Sequence, residues 1–184
     1  MLLGWVLPAG GVACATAAPA MPVPELKVRQ VDGADGGKAY RIDSGGTVAA
    51  TRAAAWRVLT DYDHLADYVP DLKSARVLAR DGDKVTVEQV GAARFFIFSR
   101  EIRLVVLVHE QAPHTIDVSL IEGDLKAYRC SWELIPLDSG GTRVLYHADI
   151  EPGFYVPGLV GASLVRKDIA RLMTAVLARM DRDR

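Results

Sequence analysis

The segment GLVGASLVRKDIARLMTAVLARM, residues 158–180, constrains this chain more than any other. At helical spacing it aligns Ala162, Val165, Ile169, Leu172, Met173, Val176 and Met180 in one apolar stripe, and Arg166, Lys167, Arg171 and Arg179 lie off it. Pro157 stands just before the segment, where a first helical turn accepts proline. A helix of this kind owes its stability to whatever covers its stripe, so the rest of the chain must provide a broad apolar face. The sequence before it is suited to that. SARVLARD and KVTVEQVG flank the turn DGD, RFFIFSREIRLVVLVHE is long enough to need a bend, TIDVSLIEG and KAYRCSWELIP are joined through GDL, and TRVLYHADIEP follows LDSGG. These runs are rich in β-branched and aromatic residues and separated by short turns, which predicts an antiparallel meander. Parallel crossovers have no room.

Upstream, ELKVRQV and KAYRID around DGADGG read as a hairpin, with Gly45-Gly46 as a bulge or bend before TVAA. Thr51 is placed to cap RAAAWRVLTDY, where Ala55, Val58 and Leu59 share a face beside Trp56. A second helical segment, DHLADYV, must end before Pro70. The expected class is α+β: one domain over residues 25–182, in which an antiparallel sheet is covered by the long C-terminal helix.

The opening MLLGWVLPAGGVACATAAPA is apolar, then small, and carries no charge before Glu25. Ala13-Cys14-Ala15, Ala15-Thr16-Ala17 and Ala18-Pro19-Ala20 are candidate cleavage patterns, so a signal peptide is expected over residues 1–20. An exported protein, periplasmic in a bacterium, follows. Pro8, Gly10, Gly11, Pro19 and Pro22 break the stretch and argue against a span, which needs about 20 continuous apolar residues. Once the segment is removed, Cys130 is the only cysteine, and neither an internal disulfide nor a thiolate metal cluster can form. The chain's 22 Lys and Arg against 23 Asp and Glu give a formal charge of −1, with no basic run to hold nucleic acid.

Two stretches carry a resemblance. AAAWRVLTDYDHLADYVPDLKSARVL resembles the opening of the START-like helix-grip (SRPBCC) superfamily, in its polyketide cyclase and coenzyme Q-binding START-domain branch; IEGDLKAYRCSWELIPL followed by GGTRVLYHADIEP resembles a hairpin of the same branch. The resemblance implies a curved seven-stranded antiparallel sheet gripping the C-terminal helix, two short helices after the first strand, and a cavity between sheet and helix. It also implies a ligand such as a sterol, phospholipid, isoprenoid quinone or polyketide, and no cofactor. Fold does not set function here, since such a cavity serves carriers, sensors and some enzymes. The expected function is non-enzymatic binding, transport or sensing of an apolar small molecule. The alternative is a polyketide cyclase/dehydratase-like enzyme using the same cavity.

In KAYRCSWELIP, Tyr128, Cys130, Trp132 and Leu134 share one face. If that face meets the helix, it is joined by Ile116, Val118 and Leu120 on one side and by Val144, Tyr146, Ala148 and Ile150 on the other. Cys130 is read as structural, because apolar surroundings raise a thiol's pKa. Phe98 and Arg100 share the parity of Ile102 and Leu104. A guanidinium there either donates to a ligand oxygen or, if a bend near Ser99 shifts the phase, is solvated or paired to an acid; the second is the plainer reading. The expected cavity set is Phe98 and Arg100, Val118 and Leu120, Tyr128 and Trp132, Tyr146 and Ala148, and Phe154 with Val165, Ile169 and Met173. No catalytic residue is assigned, the phenols of Tyr128 and Tyr146 being suited to orienting a ligand rather than abstracting protons. Asp61, Asp63, His64, Asp67 and Asp71 match no closed-loop metal motif and read as caps and surface charges, so no metal site is expected. EPGFYVPGLVGASL reads equally as a mobile entrance with aromatic lips or as close packing, and its apolar residues invite transient contact with a membrane surface.

Overall fold

The structure is a computed structural model that describes residues 24–33, 36–95, 98–156 and 158–183, without the side chains of 93–95, 98–99 and 158–159. The expected signal segment, Pro157 and the side chain of Phe98 therefore lie outside the described residues. Eight strands run β1 (Glu25–Asp32), β2 (Lys38–Val48), β3 (Leu72–Asp81), β4 (Lys84–Phe95), β5 (Phe98–Gln111), β6 (Thr115–Gly123), β7 (Leu125–Pro136) and β8 (Thr142–Pro152). Helix α1 (Arg52–Thr60) and a 3-10 turn (Tyr62–Asp67) follow β2, and α2 (Gly158–Arg182) closes the fold. The strands form one sheet in the order β1-β2-β8-β7-β6-β5-β4-β3, with every neighbouring pair antiparallel. This is the helix-grip arrangement, with one strand more than the resemblance implies. The additional β1 pairs only with β2 at the sheet edge, so the short helices come after the second strand rather than the first.

Local chemistry accounts for the elements. Thr51 Oγ1 accepts the Ala54 amide at 3.3 Å and starts α1, which buries Ala54, Ala55, Val58 and Leu59. The following segment forms a 3-10 turn and stops short of Pro70. Two local expectations need correction. β4 ends at Phe95 and pairs there with Phe98 of β5, so RFFIFSREIRLVVLVHE is divided between two antiparallel strands instead of forming one bent strand. Gly45 and Gly46 pair in unbroken register with Leu145 and Val144, so of the expected bulge or bend the bulge does not form. These glycines provide space: a Cβ on Gly46 would stand 2.5 Å from Leu177 Cδ1, and one on Gly45 would stand 2.5 Å from the Val144 carbonyl oxygen.

Helix α2 lies on the concave face, burying Ile169, Met173, Val176, Leu177 and Met180 against strand residues that include Ile42, Val48, Val144, Tyr146 and Ala148. The Ala49 amide donates to Asp181 at 2.7 Å and ties down the C-terminal end of the helix. Because Leu177 is fully buried and has nowhere to retreat, Gly46→Ala is expected to lower stability by about 1–3 kcal/mol. Urea unfolding should show an earlier midpoint with an unchanged slope.

Candidate functional site

Between the sheet and the N-terminal half of α2 the packing is incomplete. An outer chamber of about 310 Å³ is walled by Val69–Leu72, Gln89, Gly91 and Ala92, Ile102 and Leu104, Leu125, Ile150, Pro152, Phe154 and Val156, and the helix residues Gly161, Leu164, Val165, Ile169 and Leu172. An inner chamber of about 180 Å³ is walled by Leu59, Tyr62, Leu65, Tyr68, Val108, Ile116, Val118, Tyr128, Cys130, Trp132, Tyr146 and Val176. Val69, Leu72, Gln89 and Leu172 line both and form the neck between them. Together the chambers fall within the volume range of small-molecule sites, roughly 300–1,000 Å³. Tyr128 and Trp132 lie deep in the protein yet keep accessible surface, because that surface faces the inner chamber.

The sheet register places the inner wall. Trp132 is opposite Tyr146 and Ile116, and Cys130 is opposite Ala148 and Val118, so these side chains share the concave face. The Trp132 and Tyr146 rings pack with centroids 4.5 Å apart. Polar atoms in this wall are mostly committed to one another or to the frame. The Tyr128 hydroxyl donates to Cys130 Sγ at 3.2 Å, Tyr62 donates to Glu110 at 2.8 Å, and Tyr68 donates to the Val58 carbonyl at 2.9 Å. Burial pushes the Cys130 thiol up to about 12 and raises the phenols of Tyr62, Tyr68, Tyr128 and Tyr146. All five groups are neutral near pH 7, so the wall presents rings and uncharged hydroxyls.

The rim is charged and held together by ion pairs. Arg171 on α2 donates to Asp71, in the loop before β3, and to Asp168 at 2.7 Å, so helix and loop are latched across one side of the outer chamber. Asp71 adopts φ 63°, a left-handed conformation that aspartate tolerates better than most residues, and its carbonyl accepts the Ala92 amide at 2.8 Å. Arg100 keeps the inward parity, since β4 and β5 pair without interruption to Phe98, and the shift of phase near Ser99 does not occur. It lies outside both walls: its guanidinium donates to Asp124 at 3.2 Å and sits 5.2 Å from the centre of the Phe154 ring, which does line the outer chamber.

Of the other expected residues, Val118, Tyr128, Trp132 and Tyr146 line the inner chamber, and Phe154, Val165 and Ile169 line the outer one. Leu120, Ala148 and Met173 line neither; Met173 is fully buried and packs in a cluster with Ile42, Tyr146, Ala148 and Ile169. Among the described residues no group of three or more His, Cys, Asp or Glu side chains is placed to hold a metal ion. Asp61 instead contacts His64, Asp63 accepts the Val77 amide, and Asp71 takes Arg171. The expected cavity set left out Gln89 and Leu72, and also Leu104 and Leu172, although these two were placed on the inward parity and the apolar stripe. For Gln89 the signal was present, since it continues the alternation of Val85 and Val87 and is a polar residue on an apolar parity.

Among solved structures, the chain resembles a STAR-related lipid transfer protein from Xanthomonas axonopodis, with a TM-score of 0.68 and 18% identity, covering 86% of this chain and 93% of that one. A START superfamily protein from Mycobacterium smegmatis gives 0.67 and 19%, covering 77% and 97%. The Zhui aromatase/cyclase from Streptomyces sp. R1128 gives 0.66 and 16%, covering 78% and 94%. At these identities the likeness concerns the fold. No curated protein matches the chain. The profile of a family described as polyketide cyclase / dehydrase and lipid transport matches residues 48–177, which takes in α1, every strand from β3 to β8 and most of α2. The chain belongs to that family and has its START-like, ligand-binding fold.

Proposed function

We propose that this protein is a non-enzymatic carrier or sensor of an apolar small molecule, such as an isoprenoid quinone or a lipid, held in the two chambers beneath α2. The observation that carries the reading is the apolar hollow itself, with aromatic residues at its inner end and an ion-paired rim. Burying ligand surface there, at ~25 cal/mol per Å², supplies the affinity. The chemistry of the walls favours binding over turnover. The phenols and thiol of the inner chamber stay protonated, so none of them is poised as a base near neutral pH, and at the rim the Asp71 and Asp168 carboxylates are engaged by Arg171. Export through residues 1–20 would place this activity outside the cytoplasm. Tyr155, 86% exposed beside the Phe154 wall, is suited to touching a membrane surface while cargo is exchanged.

Native purification followed by solvent extraction and mass spectrometry tests the reading. The expected result is an apolar molecule recovered in near-stoichiometric amount, or saturable uptake of quinones or lipids by protein recovered empty. Protein that is repeatedly empty and takes up neither would overturn it.

A further inference from the structure

Gln89 has a property that no other side chain in the walls combines. It stands on β4 at the neck, lining both chambers, and the hydrogen bonds of the described residues leave its amide uncommitted. The polar groups around it differ. Tyr62, Tyr68 and Tyr128 each donate to a protein acceptor, Tyr146 and Trp132 line the inner chamber alone, and Arg171, the one cation among the described lining residues, is held through one terminal nitrogen by Asp71 and Asp168 while its buried Nε has no partner. In the empty protein the amide keeps accessible surface inside the hollow; a bound molecule that covers it strips that hydration without compensation unless it bonds to the amide. It is flanked by Leu104 on the adjacent strand and faces Leu172 of α2 across the neck, neither of which has a polar side-chain group to offer.

We propose that Gln89 is the residue that selects the ligand, by hydrogen bonding a neutral oxygen function, a carbonyl or hydroxyl, that sits between two apolar lobes of the bound molecule. The inference rests on the carrier reading and specifies its ligand class. The amide NH2 donates to a carbonyl, and the amide as a whole either donates to or accepts from a hydroxyl. One lobe enters the aromatic inner chamber and the other occupies the outer chamber. An anionic group at the neck would lose its water with no free cation among the described lining residues to replace it, so a carboxylate is disfavoured there.

Benzophenone, diphenylmethanol and diphenylmethane form a matched set of probes, with two rings joined by a carbonyl, a hydroxyl-bearing carbon or a methylene. Equilibrium dialysis against the full chain and against Gln89→Leu and Gln89→Met gives the affinity of each probe for each protein. The ratio of benzophenone to diphenylmethane affinity is expected to fall about fivefold in both variants, and the diphenylmethanol ratio to fall with it, the size of one neutral hydrogen bond. Diphenylmethane affinity should be unchanged or improved. The thermal midpoint of the empty variants should equal or exceed that of the unaltered protein, since the amide supports nothing in the empty fold. If all probes bind and the ratios do not move, Gln89 does not select the ligand, while the carrier reading stands. If no probe binds any of the proteins although quinones or lipids are taken up, the Gln89 inference fails and the carrier reading stands; if quinones and lipids are refused as well, both fail.

Discussion

Leu172→Trp is expected to empty the protein of ligand without unfolding it. Leu172 projects from α2 into the neck and lines both chambers, so an indole there occupies the space a bound molecule would take. Losing about 100–120 Å² of buried ligand surface at ~25 cal/mol per Å² removes roughly 3 kcal/mol, a hundredfold in Kd. The same substitution fills a void, and filling a void stabilises when the new side chain fits its shape. Uptake of a short-chain isoprenoid quinone should therefore weaken by two orders of magnitude while the thermal midpoint holds or rises. Unchanged uptake would mean that the molecule binds elsewhere. A collapse of the midpoint would mean that the neck is already full.

The second large effect concerns alkaline pH. Desolvation raises the thiol of Cys130 and the phenols of Tyr62, Tyr68, Tyr128 and Tyr146 in the folded protein. The unfolded chain gives up the thiol proton near pH 8.5 and the phenol protons near 10, whereas the folded chain keeps them. Above these values the unfolded state binds fewer protons, so stability falls as pH rises, and below about pH 8 these groups contribute no slope. Each withdraws about 1.4 kcal/mol per pH unit once its unfolded pKa is passed. Five groups acting together rival the ~5–15 kcal/mol that holds a domain folded. Urea unfolding from pH 8 to 11 should show a flat region and then a steep loss, with phenolate absorbance of the buried rings appearing only as the chain unfolds. Tyr146→Phe removes one titrating group from the buried set and should make that decline measurably shallower. A decline as steep as that of the unaltered protein would show that Tyr146 ionises within the fold.

Both effects arise from the same architecture, which answers what KAYRCSWELIP forms. Its inward face is partly core and partly cavity wall. Leu134 is packed into the main cluster, whereas Tyr128, Cys130 and Trp132 line open space. Cys130, raised to about 12 and accepting from Tyr128, is a wall atom rather than a nucleophile.

The sequence by itself determined the antiparallel strands, the capped first helix, the amphipathic last one and the inward parity of the aromatic residues, because strand and helix periods are local properties of the backbone. It also carried the family resemblance, through strings that span both short helices and the β7–β8 hairpin. Tertiary structure alone decided which inward side chains touch space and which touch protein. Met173 and Val165 lie on the same helical stripe, yet one is sealed against the sheet and the other faces the outer chamber. Alternation also could not tell that Arg100 reaches the rim to meet Asp124 and Phe154, or that Gly45-Gly46 continues the strand in register beneath Leu177. These outcomes depend on sheet curvature and on the height at which α2 rides above it, and both are sums over contacts between residues far apart in the chain.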